Sequence, residues 1–142
     1  MKSFRVATGQ FSLEAQIDHN RRQVLRQMQQ AAQSAADVVH FSECALSGYA
    51  GVDIPDSESI DWDELAQATR EILAAAKKWK QWVLLGSTHR LSGGHKPHNS
   101  VYVISPKGTI VDRYDKRFCT GTAGRRTIYS ISHRETGSSR FG

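Results

Sequence analysis

Cysteine and proline are scarce in this 142-residue sequence, and it contains no long hydrophobic run. Two cysteines are too few for a disulfide-stabilised fold, so a reducing cytoplasm is the expected compartment. No stretch approaches the roughly 18 apolar residues that indicate a membrane span, and no secretory signal is predicted at the N-terminus. With 39% apolar and 23% charged residues, the composition is typical of a globular domain and excludes a disordered chain.

Most of the chain also lacks a charge excess, although the formal net charge is +5. Residues 1–112 contain equal numbers of acidic and basic side chains. The whole excess lies in residues 113–142, which hold seven basic side chains and only two acidic ones. A broad phosphate-binding surface is therefore not expected on the body of the protein, and nucleic-acid binding through the basic tail is the least supported function.

Hydrophobic periodicity predicts strands that alternate with helices. The order is β-α-β-α-β followed by a β-hairpin, which indicates an α/β domain with ligands bound beyond the carboxyl ends of its strands. The predicted strands cover residues 4–11, 38–41, 82–86, 100–104 and 109–114, and the predicted helices cover 17–36 and 61–79.

Two ionisable residues lie where such a fold places function. Glu43 follows the second predicted strand, and Lys116 follows the fifth. A carboxylate and an ammonium group at neighbouring strand ends can act as a general base and as an electrostatic clamp on a developing oxyanion. Position alone favours a surface ion pair, so the residues around the two side chains decide between the interpretations.

Those surrounding residues resemble a known family. Residues 41–49, FSECALSGY, resemble the glutamate motif of the nitrilase superfamily, the carbon–nitrogen hydrolases. Residues 99–108, NSVYVISPKG, with YDKR at 114–117, resemble the lysine block of that family and its hairpin. Ser42 departs from the pattern, because the family commonly has proline before the glutamate. The two motifs occur in the family's order, and the resemblance covers about residues 4–124.

The resemblance implies an incomplete nitrilase-like fold, one part of an α-β-β-α sandwich, with residues 1–124 as the N-terminal portion of the hydrolase domain. It also implies a Glu-Lys-Cys mechanism on small-molecule amides or nitriles, with Glu43 as general base and Lys116 stabilising the tetrahedral intermediate. It implies no metal and no organic cofactor, and full-length relatives are expected to be homodimers. Tyr49 either lines the pocket beside Glu43 or serves only in packing.

The nucleophile is the part of the family pattern that this sequence lacks. In the family, the catalytic cysteine follows the lysine at the end of a further strand, and this sequence stops before that motif. Cys119 lies only three residues beyond Lys116, and a lone cysteine more often packs than reacts, so it is not predicted to be the nucleophile. Cys44 adjoins Glu43, and neighbouring side chains of a strand point to opposite faces, so a structural role is predicted for it.

Two interpretations of the whole chain remain. In the first, it is a truncated carbon–nitrogen hydrolase, most similar to amidases and inactive by itself. In the second, it is a non-catalytic relic or interaction module of the same fold. Both place the protein in the cytoplasm with no membrane contact.

Residues 125–142 form a basic tail without helical or strand periodicity. Codons for Thr127 to Gly142 can be chosen so that the next reading frame encodes DLQHFTPGDRFESVR. That string contains the proline–glycine turn that precedes the family's next strand. The tail is therefore hypothesised to be a frameshift product, which the coding DNA can test.

Three histidines, His89, His95 and His98, surround a glycine–glycine turn. Metal ligands can cluster in this way, but short patterns of this kind are weak evidence, and a solvated hairpin loop is the favoured interpretation. Trp82, in the third predicted strand, is expected to lie in the core.

Overall fold

In the part of the chain that the structure describes, five strands form one mixed sheet, in which each strand lies beside its neighbour in the sequence. The computed structural model describes residues 3–117. The first three strands are parallel and are connected through two helices, and the last two strands add in antiparallel orientation. The strands are β1 (Val6–Gly9), β2 (Val38–Phe41), β3 (Trp82–His89), β4 (His98–Ile104) and β5 (Ile110–Asp115), and the helices are α1 (Ile17–Gln33) and α2 (Trp62–Trp79).

The predicted order of elements is confirmed, and the differences lie at their ends. Helix α1 ends at Gln33, three residues before its predicted end, and Ala35 then adopts a left-handed backbone conformation with φ of 53°. Strands β3 and β4 are longer than predicted, because their antiparallel pairing continues as far as His89 and His98. Periodicity does not detect this extension, since it depends on hydrogen bonds to the partner strand.

Helix α2 begins where an aspartate caps it, as the sequence indicates. The Asp61 carboxylate accepts hydrogen bonds from the backbone N–H groups of Asp63 and Glu64, at 3.1 and 2.9 Å. These bonds satisfy two of the donors that a helix start leaves unpaired. The helix ends at Trp79, and the next residue, Lys80, has a left-handed φ of 54° that turns the chain toward β3.

The hydrophobic core fills one side of the sheet, between the strands and the two helices. Because strand side chains alternate between the two faces, Val83 and Leu85 are buried in the core. The other face is open: Val6 is 61% exposed and Trp82 is 40% exposed. The expectation that Trp82 lies in the core is therefore wrong. Its neighbour Val83 takes the core-facing position instead.

The open face forms an apolar groove of about 500 Å³. In a four-layer sandwich a second sheet would cover this face. The residues that line the groove are Phe4, Val6, Val38, His40, Trp82 and Leu84.

The three histidines do not share one solvated loop. His95 is exposed in the loop, but His98 is only 2% exposed, and its Nδ1 lies 3.0 Å from Oδ2 of Asp115. His89 is half-buried, with its Nδ1 2.8 Å from the hydroxyl of Tyr102. Hydrophobic periodicity could not predict that His89 and His98 lie outside the loop, because both belong to the extended pairing of β3 with β4.

Residues 3–117 contain neither a cluster of side chains that could hold a metal ion nor a helix that could cross a membrane. In that range no three histidine, cysteine, aspartate or glutamate side chains form a group that could hold a metal ion. Neither α1 nor α2 is long and apolar enough to cross a membrane.

Candidate active site

The segment that carries Glu43 lies directly over strand β3. A Cβ atom built on Gly86 of β3 would collide with the carbonyl oxygen of Ser42 and would lie 2.9 Å from Cα of Glu43. The backbone N–H of Leu46 donates a 3.1 Å hydrogen bond to the carbonyl of Gly86. Only glycine permits so close an approach of the two backbones. Gly86 therefore helps to determine where Glu43 lies, and the sequence analysis missed it.

Cys44 places its side chain in the hydrophobic core rather than in the site. Its φ of 54° is uncommon for a residue with a side chain, and its side chain is completely buried in the core. The Glu43 side chain, one residue earlier, is 43% exposed. The two neighbours thus lie in different environments, and the structural role predicted for Cys44 agrees with its burial.

Lys116 follows the end of β5, and its side chain extends to the carboxylate of Glu43. Its Nζ donates a hydrogen bond to Oε1 of Glu43 at 2.7 Å, although 73 positions separate the two residues in the sequence. This hydrogen bond raises the pKa of Lys116, partial burial opposes the rise, and the contact with Tyr49 adds to it. The structure therefore brings together the two residues that the sequence singled out, as a charged pair.

Tyr49 lies beside this pair. Its hydroxyl oxygen is 3.4 Å from Nζ of Lys116, and that Nζ is 5.5 Å from the centre of the aromatic ring. The side chain is half-buried against the hydrophobic core, so Tyr49 both packs and lines the site. The two alternatives in the sequence analysis are thus not exclusive.

Asn99 also belongs to the site, although the sequence analysis gave it no role. Its side-chain Nδ2 donates a hydrogen bond to Oε1 of Glu43. Its backbone carbonyl accepts a 2.9 Å hydrogen bond from the backbone N–H of Lys116. A signal was available in the sequence, because Asn99 opens the segment that resembles the lysine block.

A buried network lies on the other face of the same strands. The carboxylate of Asp115 accepts hydrogen bonds from Ser100 Oγ at 2.6 Å and from Arg113 Nη2 at 3.0 Å, and His98 Nδ1 lies 3.0 Å away. Burial alone would raise the pKa of Asp115, but hydrogen bonds from Ser100, Arg113 and His98 outweigh it and lower the pKa to about 2. Asp115 directly precedes Lys116, so this network fixes the strand end from which Lys116 extends.

The described part of the chain supplies a proton acceptor and a cation, but no exposed thiol. Cys44 is the single cysteine of residues 3–117, and it is buried. Cys119 and the tail at 125–142 lie outside the described residues. A carboxylate beside an ammonium group is suited to proton transfer and to stabilising an oxyanion.

Two solved structures have closely similar folds. An amidase from Nesterenkonia sp. AN1 aligns with a TM-score of 0.79 and 14% identity, over 93% of this chain and 51% of the amidase chain. A glutamine-dependent NAD+ synthetase from Acinetobacter baumannii aligns with a TM-score of 0.71 and 24% identity, over 94% of this chain and 25% of the synthetase chain. At these identities the likeness shows the fold alone, and it confirms the predicted nitrilase-like α/β architecture, of which this chain covers a part.

Sequence comparison agrees with the fold. A glutamine-dependent NAD(+) synthetase from Acinetobacter baylyi is 29% identical over 118 residues, which is 82% of this chain and 20% of the synthetase. The chain thus spans about half the length of the amidase and a quarter or less of the two synthetases. The sequence model of the carbon-nitrogen hydrolase family matches residues 5–133, a range that contains both motifs and all five strands. The chain therefore belongs to the carbon–nitrogen hydrolase family.

Proposed function

We propose that this chain carries the general base and the cation of a carbon–nitrogen hydrolase active site, with Glu43 as the base and Lys116 as the cation. The observation that carries the proposal is the 2.7 Å contact between Nζ of Lys116 and Oε1 of Glu43. The two residues come from separate motifs, and both follow strand ends of one sheet. A chance surface ion pair would not require this agreement between motif, sheet position and contact.

In the proposed reaction, the carboxylate of Glu43 takes the proton from a cysteine thiol. The sulfur keeps the electron pair and attacks the carbon of an amide or nitrile. Lys116 stabilises the negative charge that develops in the tetrahedral intermediate. With an amide, protonated Glu43 returns its proton to the leaving nitrogen, and loss of ammonia or an amine leaves a thioester. A nitrile first gives a thioimidate, which adds one water before it loses ammonia to form the same thioester. A further water hydrolyses the thioester to the acid and restores the thiol. These steps use side chains alone and assign no metal or organic cofactor.

The thiol must come from outside residues 3–117, because Cys44 is buried in the core. Cys119, the other cysteine of the sequence, lies only three residues beyond Lys116 and is not predicted to be the nucleophile. We therefore propose that the 142-residue chain does not turn over amides or nitriles by itself. Removing one member of a cooperating catalytic set can lower the rate on the order of a million-fold. A non-catalytic relic or interaction module of the same fold is the alternative for this chain.

Small-molecule amides are the preferred substrate class, with nitriles second. The side-chain amide of glutamine is a specific candidate, favoured by the 29% identity over 82% of this chain to a glutamine-dependent NAD(+) synthetase. We place the protein in the cytoplasm, as a homodimer in its full-length form, without a nucleic-acid partner. Binding to DNA with a steep salt dependence would contradict the last point.

The first test measures ammonia release by the 142-residue protein from glutamine, a simple aliphatic amide and an aliphatic nitrile. We expect no release above the uncatalysed rate. Turnover that disappears in Cys119→Ala would contradict this expectation and would make Cys119 the nucleophile. Turnover with glutamine alone would also contradict the expected inactivity, and it would identify glutamine as the substrate.

The second test examines the coding DNA beyond codon 124. If another frame encodes a turn, a strand and a cysteine motif, the frame-restored protein should release ammonia. In that protein, Glu43→Gln and Lys116→Met should each lower kcat/KM about a thousand-fold or more. The control variants Glu64→Gln and Lys107→Met change exposed side chains and should leave kcat/KM unchanged. Full activity in Glu43→Gln would refute its role as base. A coding sequence without such a motif in any frame would favour the relic.

A further inference from the structure

Asn99 occupies an unusual place for a polar side chain. It lies on β4, is only 3% exposed, and pairs with Thr88 of β3 in the antiparallel ladder. Its neighbour Ser100 binds Asp115, on the other face of the sheet. The neighbouring residues Asn99 and Ser100 therefore place their polar side chains on opposite faces of β4. The side chain of Asn99 lies on the face where Glu43 and Lys116 meet.

The side chain of Asn99 holds one oxygen of Glu43. Its Nδ2 donates to Oε1, which is the same oxygen that accepts the 2.7 Å hydrogen bond from Lys116 Nζ. Two donors therefore converge on Oε1. Within residues 3–117, no hydrogen bond reaches Oε2.

The backbone of Asn99 holds Lys116 as well. Its carbonyl accepts the backbone N–H of Lys116 at 2.9 Å, which continues the pairing of β4 with β5 by one residue. We propose that Asn99 is a positioning residue of this site: it holds Glu43 through its side chain and Lys116 through its backbone, and it commits Oε1 of Glu43 to hydrogen bonding.

The chemical meaning of this arrangement rests on the proposed function. An oxygen that already accepts two hydrogen bonds is the poorer proton acceptor of a carboxylate. Oε2 is then the atom that takes the proton of the thiol as the S–H bond breaks and the sulfur keeps the electron pair. A neutral amide suits this position, because an aspartate would place a second negative charge against Glu43.

The test uses the 142-residue protein and reads the pKa of Lys116 by NMR titration of its side chain. Within the described residues 3–117, Glu43 and Tyr49 are the titratable groups in contact with its Nζ. Asn99→Leu keeps the approximate volume and removes the donor. We expect this variant to lower the Lys116 pKa toward its ordinary value, as Glu43→Gln does. In the double variant Glu43→Gln/Asn99→Leu, the Lys116 pKa should be no lower than in Glu43→Gln alone.

Ser105→Ala is the control, because it removes the hydrogen bond of a buried side chain to the hydroxyl of Thr109, just beyond the end of β4 that lies away from Asn99. It should lower stability and leave the Lys116 pKa unchanged. Asn99→Ala, which adds no atoms, gives the same comparison if the leucine variant does not fold. The proposal is overturned if both Asn99 variants keep the wild-type Lys116 pKa while Glu43→Gln lowers it, or if Glu43→Gln itself has no effect. None of these measurements needs turnover, so a failure of the proposed hydrolase activity leaves them interpretable.

Discussion

At the scale of single residues, the backbone around Glu43 passes so close to β3 that position 86 has no room for a side chain. A methyl group there would lie 2.7 Å from the backbone nitrogen of Cys44 and 2.9 Å from Cα of Glu43. Both contacts are with backbone atoms, which cannot rotate away. We expect Gly86→Ala to destabilise the protein by about 1–3 kcal/mol and to lower the pKa of Lys116, because the Glu43 segment must move. Urea unfolding and NMR titration measure the two effects.

Gly108→Ala provides the matched control for this prediction. The added methyl would there lie 2.6 Å from the backbone carbonyl oxygen of Leu73 in α2, at the turn between β4 and β5 rather than at the Glu43 segment. It should lower stability without changing the pKa of Lys116. A Gly86→Ala protein with wild-type stability and a wild-type Lys116 pKa would show that Gly86 does not determine the position of the Glu43 segment.

At the scale of secondary-structure elements, β4 and β5 are fixed to one another by the buried network around Asp115. The pKa of this carboxyl is about 2, against an ordinary value of 3.8, so its contribution to stability is complete above about pH 4. That contribution is lost as the pH falls through the folded-state value. We expect Asp115→Asn to lower stability at pH 7 by roughly 2–4 kcal/mol, because it leaves Arg113 without its charged partner. The stability difference between variant and wild type should then shrink between pH 4 and pH 2.

Thermal unfolding at a series of pH values measures this prediction. Asp112→Asn, an exposed carboxylate on the same strand, serves as the comparison and should cost less than about 0.5 kcal/mol. A constant difference between Asp115→Asn and wild type from pH 7 to pH 2 would show that the Asp115 carboxylate does not stabilise the hairpin.

At the scale of the whole molecule, the sheet has one covered and one open face. Val6 on edge strand β1 belongs to the open face and is 61% exposed, whereas Val52, in a loop away from that face, is 78% exposed. A contiguous apolar face beside an unpaired strand edge promotes association. We expect the 142-residue protein to bind a hydrophobic dye and to self-associate, and Val6→Lys to reduce both several-fold. Light scattering and dye fluorescence measure the change.

Val52→Lys makes the same substitution at a more exposed position outside the groove, and it should leave association unchanged. Equal effects of the two variants would mean that added charge alone explains the result. A protein that remains monomeric without binding dye would show that the open face does not drive association.

The sequence by itself determined the order of strands and helices, because amphipathic periodicity and the Asp61 cap are local signals that need no partner strand. It also determined which two charged residues to expect in one site, since both follow strands and lie in recognisable motifs. Only the tertiary structure decided that Gly86 provides space for the Glu43 segment, that Asn99 joins Glu43 to Lys116, and that His98 is buried against Asp115. Each of these depends on contacts between residues of different elements. Such contacts leave little trace in local periodicity, because the sequence spacing of two residues says little about their distance once a sheet has formed.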